Sequence, residues 1–143
     1  MKYEMRDRVL DRLNGLQAYL NRLNSFRADD LDGYKNADPV IKYATERRLQ
    51  LINDAELDVI VLLYKKFGDE IAGSPSSMEK GLSSVLSKRL LESFDKRREL
   101  RNKLVHVYKE FSFDDKVFEQ SKDTEDVAEF IVEIKKLIDK RWT

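Results

Sequence analysis

Residues 57–64, LDVIVLLY, are the stretch on which the fold turns. Read alone, this β-branched run with its aromatic end suits a buried strand. Its surroundings decide otherwise. The helix-forming run ERRLQLINDAE, 46–56, leads straight into it with no glycine, proline or turn cluster between. One helix is therefore expected from Pro39 to Phe67. Asp38 can accept from its free N–H groups, Pro39 suits its first turn, and Gly68 stands just past its end. A helix apolar on nearly all sides must be enclosed, by the core or by a subunit partner.

Outward from this helix the pattern stays helical. Val9, Leu13, Leu16, Leu20 and Leu23 recur at spacings of four and three, which predicts an amphipathic helix from Tyr3 to Arg27. DDLDGYKNAD, 29–38, reads as a loop, and GDEIAGSPSS, 68–77, as a second connection. Ser76 to Glu79 has the spacing of a capping box, and a helical stretch follows to about Phe111, broken or kinked near Phe94. FSFDDKVFEQSKDT, 111–124, reads mostly as loop. A last helix runs from Glu125 to Trp142, with Val127, Phe130, Ile131, Ile134, Leu137 and Ile138 facing inward. The expected fold is all-α: a single domain over residues 1–143, built as an up-and-down bundle of four to five helices.

Composition narrows the function. The 143 residues include no cysteine, which excludes disulfides and thiolate metal sites. One histidine leaves a zinc site short of ligands, so no metal and no cofactor are expected. Formal net charge is zero with 38% charged residues, which suits long helices with charged surfaces. No apolar run reaches the roughly 18 residues of a membrane span, and the N-terminus MKYEMRDRVL is charged, unlike a signal peptide. The expectation is a cytoplasmic protein with no membrane partner.

The single histidine lies in RNKLVHVY, 101–108. With Leu104 at zero and about 100° per residue, Leu90, Leu100, Val107 and Phe111 gather within about 60° of it as a core stripe. His106 falls near 200° and Asn102 near 160°, both away from that stripe, while Arg101 and Tyr108 sit at its border. Helical geometry thus argues against a core histidine. It leaves a simple surface histidine and a functional one both open. Asn102, one turn away, can orient the imidazole.

Charge is uneven. Between Val85 and Glu110 eight basic residues stand against four acidic ones, so this segment carries +4 in a neutral chain. Arg97, Arg98, Lys103 and Lys109 are its candidate phosphate or RNA ligands. A solvated helix face with i, i+4 ion pairs is the plain reading. The coincidence with an outward histidine adds a second, a phosphate-binding face. Histidine with arginine suits phosphodiester transfer in RNA, which supplies its own 2′-hydroxyl nucleophile. A side chain must take that proton, stabilise charge on phosphorus oxygens and protonate the leaving oxygen. One chain has one histidine, and a twofold dimer would supply two to a shared cleft.

Arg101-Asn102-Lys103-Leu104-Val105-His106-Val107-Tyr108 matches an R-x4-H-x-Y signature, with a polar residue after the arginine. In this motif and in helix order the chain resembles HEPN domains, in particular the HepT-like toxins. The resemblance implies a metal-independent RNase toxin acting as a homodimer, with the motif at a cleft between protomers. It implies Arg101 and His106 as the catalytic pair, with Asn102 supporting them. It also implies a minimal nucleotidyltransferase antitoxin as partner, which in some members transfers AMP to the motif tyrosine, here Tyr108. Added charge and bulk there would repel RNA phosphate. Two other readings stand beside it. One is a non-catalytic helical subunit that pairs with a nucleotidyltransferase and binds nucleotide or substrate. The other is a plain helical dimerisation domain.

Overall fold

The computed structural model describes residues 4–68, 75–106 and 113–142, and these hold seven helices and no strand. Four are long: α1 Met5–Phe26, α3 Pro39–Phe67, α5 Lys88–His106 and α7 Glu125–Arg141. Three are short: α2 Leu31–Lys35, α4 Pro75–Leu82 and α6 Asp114–Lys122. The protein is all-α, as expected. Its long helices number four, and the short ones raise the total beyond the expected four to five.

LDVIVLLY is helical throughout, inside the 29 residues of α3. The ends of that helix are those the sequence marks. Asp38 accepts from the Val40 N–H at 2.8 Å, Pro39 fills the first turn, and the Gly68 N–H donates to the Tyr64 carbonyl at 2.8 Å. Gly68 is needed there for space: a Cβ on it, or on Gly81 of α4, would overlap the Tyr64 ring. The two glycines let α4 close down on the C-terminal end of α3.

The four long helices form a ring. α1 packs on α3 and α7, and α5 packs on the same two from the other side. The inward stripes are those read from spacing. Val9, Leu13, Leu16, Leu20 and Leu23 of α1 are buried, and so are all six expected residues of α7. Burying such a side chain contributes roughly 1.5–3 kcal/mol, so these stripes hold the ring closed.

Four expectations need correction. The segment 29–38 is not simply loop. Asp30 accepts from the Gly33 N–H at 2.6 Å and starts α2, which drives Tyr34 fully into the core. The segment 111–124 is not mostly loop either. Asp114 and Asp115 favour the N-terminus of α6, and Val117 anchors it. The break in the third long stretch is at residues 83–87, ahead of the expected Phe94. There serines compete for the backbone: Ser83 Oγ donates to the Lys80 carbonyl at 2.8 Å, and Ser87 Oγ accepts from the Leu90 N–H at 3.2 Å. Glu133 of α7 accepts from both the N–H and the hydroxyl of Ser87, at 2.8 and 2.6 Å, which ties the start of α5 down. Phe94 is fully buried in mid-helix. Pro75 and Ser76 are both helical, so Ser76 lies inside α4 and not ahead of it as a capping box requires.

Candidate active site on α5

α5 buries Leu90, Phe94, Arg97 and Leu100 and half-buries Leu104. Leu90, Leu100 and Leu104 are the described part of the expected stripe, Val107 and Phe111 lie outside the described residues, and one charged residue stands in the middle of it. Arg97 meets Glu56 of α3, which is fully buried. The Arg97 Nε donates to one carboxylate oxygen at 2.7 Å and Nη2 donates to the other, a bidentate fork. Burial pushes the Glu56 carboxyl up, and the charge and hydrogen bonds of Arg97 oppose that. Burial also acts against the Arg97 charge, and Glu56 more than restores it. A guanidinium keeps its proton, so the pair is ionic. Arg97, expected among the phosphate ligands, is placed inside the bundle with its fork occupied.

One turn further on, Arg101 also reaches α3. Its Nε donates to Asp54 Oδ1 at 2.9 Å, and its Nη1 lies 3.5 Å from the Asn102 amide oxygen. Here the side chains stay wet: Arg101 is 30% exposed and Asp54 44%. Asp54 takes the Nε edge and fixes the plane of the guanidinium. The Nη edge, which suits two oxygens of a phosphate, faces away from that bond. Asn102 is exposed beside it.

α5 ends at His106. Its side chain, like Tyr108 and Lys109, lies outside the described residues. Helix register alone puts His106 five residues beyond Arg101 and about 200° from Leu104, away from the buried stripe. Arg98 stands 2.8 Å from Asp95 and over the Phe94 ring. Lys103 is half-buried and lies against Lys116 of α6. Contact with Lys116, then its charge, holds the Lys103 ammonium below its ordinary pKa.

Two acidic partners escaped the sequence reading. Glu56 had a signal: it lies among Leu49, Ile52, Val59, Ile60 and Leu63 at core spacing. A carboxylate there needs a buried cation. Asp54 had none, since only the docking of α3 on α5 brings it to Arg101. Among the described residues no cluster of three or more histidine, cysteine or acidic side chains could hold a metal ion. No helix among them is long and apolar enough to cross a membrane.

The chain is similar to "tRNA nuclease HepT" of Aphanizomenon flos-aquae, with 32% identity over 99 residues, which cover 68% of this chain and 67% of that protein. The family model described as "Ribonuclease HepT-like" matches residues 16–134, a span that runs from α1 through the Arg101–His106 motif into α7. A match over that much of the chain, around a bundle that holds the motif arginine at its surface, makes this protein a member of the ribonuclease HepT-like family.

Proposed function

We propose that this protein is an endoribonuclease toxin that cleaves RNA, with tRNA as substrate class, at a cleft formed by two copies of α5. The observation that carries the reading is Arg101. Asp54 holds it through Nε, its Nη1 donates to Asn102 Oδ1, and it stays 30% exposed on the helix that carries His106. Family membership supplies the ribonuclease class, and the relative's name supplies tRNA.

The chemistry follows from the side chains. An imidazole free in water has a pKa of about 6.5 and exchanges protons near neutral pH, and His106 accepts the 2′-hydroxyl proton. The 2′-oxygen attacks phosphorus and the bond from phosphorus to the 5′-oxygen breaks. Arg101 neutralises charge on the non-bridging oxygens. The partner's His106 protonates the leaving 5′-oxygen, which gives a 2′,3′-cyclic phosphate and a 5′-hydroxyl. The substrate provides the nucleophile, so no metal-bound water is needed. Two histidines are needed and each chain has one, which makes the homodimer part of the mechanism. A minimal nucleotidyltransferase antitoxin silences the enzyme: the Tyr108 hydroxyl oxygen attacks the α-phosphorus of ATP, loses its proton and displaces pyrophosphate, and the AMP it gains sets a phosphate where RNA phosphate must bind.

The test is His106→Ala in a purified cleavage assay and in growing cells. Cleavage and toxicity should vanish while the helical melting transition stays, because the residue is off the core stripe. Wild-type cleavage by the variant would overturn the catalytic reading and favour a non-catalytic binding subunit. Tyr108→Phe should remain toxic and escape AMP-dependent neutralisation. Its inactivity would move Tyr108 into the catalytic set.

A further inference from the structure

A groove of about 240 Å³ runs between α5 and α6, and its charge is polarised along its length. Gln120 Nε2 donates to the Lys96 carbonyl at 3.1 Å in the middle of it. The helices run antiparallel past this bond. At one end Arg97 lies in the field of Asp123 and Asp126. At the other, Lys103 meets Lys116, with Glu99 on the same wall one turn from Lys103.

We propose that the Lys103–Lys116 end of this groove binds one phosphate of the RNA chain, next to the phosphate that is cleaved. The proposal rests on the nuclease reading above and deepens it, adding Lys116 and α6 to the RNA site.

Three observations support it. First, the pairing is unlike its surroundings. Lys88, Arg89, Arg97, Arg98 and Arg101 of α5 are each ion-paired to a carboxylate, whereas Lys103 lies against a cation, with the Glu99 carboxylate acting on it only as the weakest influence. Two ammonium groups in contact repel, and a bridging anion turns that cost into attraction. Second, the acids next to Lys116 are engaged elsewhere: Asp114 holds Lys42 at 2.8 Å and Asp115 holds Lys35 at 3.3 Å. Among the described residues no ion pair to a carboxylate occupies Lys103 or Lys116. Third, the position fits. Lys103 precedes His106 by three residues, and such neighbours on a helix surface have Cβ atoms about 5–6 Å apart. The acidic end repels a polyanion, so the groove takes a single phosphate and does not carry the strand along its length.

The probe is a single-stranded 2′-O-methyl oligoribonucleotide, which has no free 2′-hydroxyl and cannot be cut by this chemistry. Its affinity for the dimer is measured from low to moderate salt, for wild type, Lys116→Ala and Lys140→Ala. Lys140 is an exposed cation at the far end of α7 from Asp126. Lys116 is exposed, so its loss leaves the fold intact. Lys116→Ala should bind several-fold more weakly at low salt, with the log–log salt slope shallower by about 0.7, the loss of one single-strand phosphate contact. Lys140→Ala should keep the wild-type slope. An unchanged slope in Lys116→Ala, or equal losses in both variants, overturns the proposal. Cleavage of unmodified RNA is followed in parallel. Normal cleavage with an unchanged Lys116→Ala slope sinks this site alone. Slope loss without cleavage by wild type supports the site and sinks the catalytic reading. No RNA binding by wild type sinks both.

Discussion

Arg97 and Arg101 stand one turn apart on α5, both reach across to α3, and both meet a carboxylate. Arg97 is sealed in with Glu56, and its side chain is 9% exposed. Arg101 shares its Nε with Asp54 at the surface and is 30% exposed. The same pair of residue types thus does two things. Where water is excluded, neither charge can be left alone, and the pair fixes how α3 and α5 dock. Where water remains, the pair adds little to stability, and the guanidinium keeps an edge for something else. Depth along the helix separates a structural cation from a functional one.

The largest expected effect breaks the inner pair. Arg97→Met leaves the Glu56 carboxylate buried without its cation, and should cost roughly 3–5 kcal/mol of unfolding free energy in urea. Adding Glu56→Leu should restore most of it, because two apolar side chains of similar size replace the pair with little net loss. A single variant as stable as wild type would show that Arg97 is not a structural cation and would return it to the phosphate ligands.

The outer pair should behave in the opposite way. Arg101→Lys should change stability by no more than about 0.5 kcal/mol, in keeping with an ion pair that water screens. It should lower cleavage about a hundredfold, since lysine keeps the charge and loses the fork. Asp54 is then a positioning residue. Asp54→Ala should lower the maximal cleavage rate about tenfold with an unchanged melting curve. Asp54→Asn should recover part of it, because the amide oxygen still accepts from Nε. If Asp54→Asn is no better than Asp54→Ala, its charge and not its hydrogen bond sets the rate.

This contrast also shows what a sequence can reveal. The stripes of α1 and α7 were legible because every inward position is apolar and nothing competes with the period. α2 and α6 were not. Each has little apolar content, chiefly Tyr34 and Val117; α2 is started by the Asp30 cap, and α6, whose Phe113 N-cap makes no side-chain hydrogen bond, is held by its neighbours more than by a stripe. Arg97 was legible and misjudged. It lies seven residues from both Leu90 and Leu104, in the centre of the buried face, yet its charge suggested the surface. Charge at a core position signals a hidden partner, and Glu56 at the matching position of α3 was that partner. Asp54 could not be found this way, because its pairing depends on the docking that the inner pair itself helps to set.

The smallest expected effect tests a third contact on α5, where like charges meet. Asp95 lies one position nearer the N-terminus than Lys96, and across from it stands Glu79 of α4. Glu79 Oε1 is buried with no donor among the described residues. Burial, then the hydrogen bond and the charge of Asp95, push the Glu79 carboxyl up to about 7, against the pull of Arg98. A proton on Glu79 lets the two carboxyls bond; without it they repel. The raised pKa means that the folded chain binds more protons than the unfolded one between the ordinary value of 4.5 and about 7. Stability from this contact is therefore complete below about pH 4.5 and is lost as pH rises through about 7. Solvent reaches much of Glu79, so the melting temperature should fall by only about 2 °C across that window on this account. Glu79→Gln carries a permanent donor to Asp95, and should flatten this part of the pH profile and melt above wild type at pH 8. If Glu79→Gln melts with the wild-type pH profile, the two carboxyls do not share a proton, and α4 is held to α5 by packing alone.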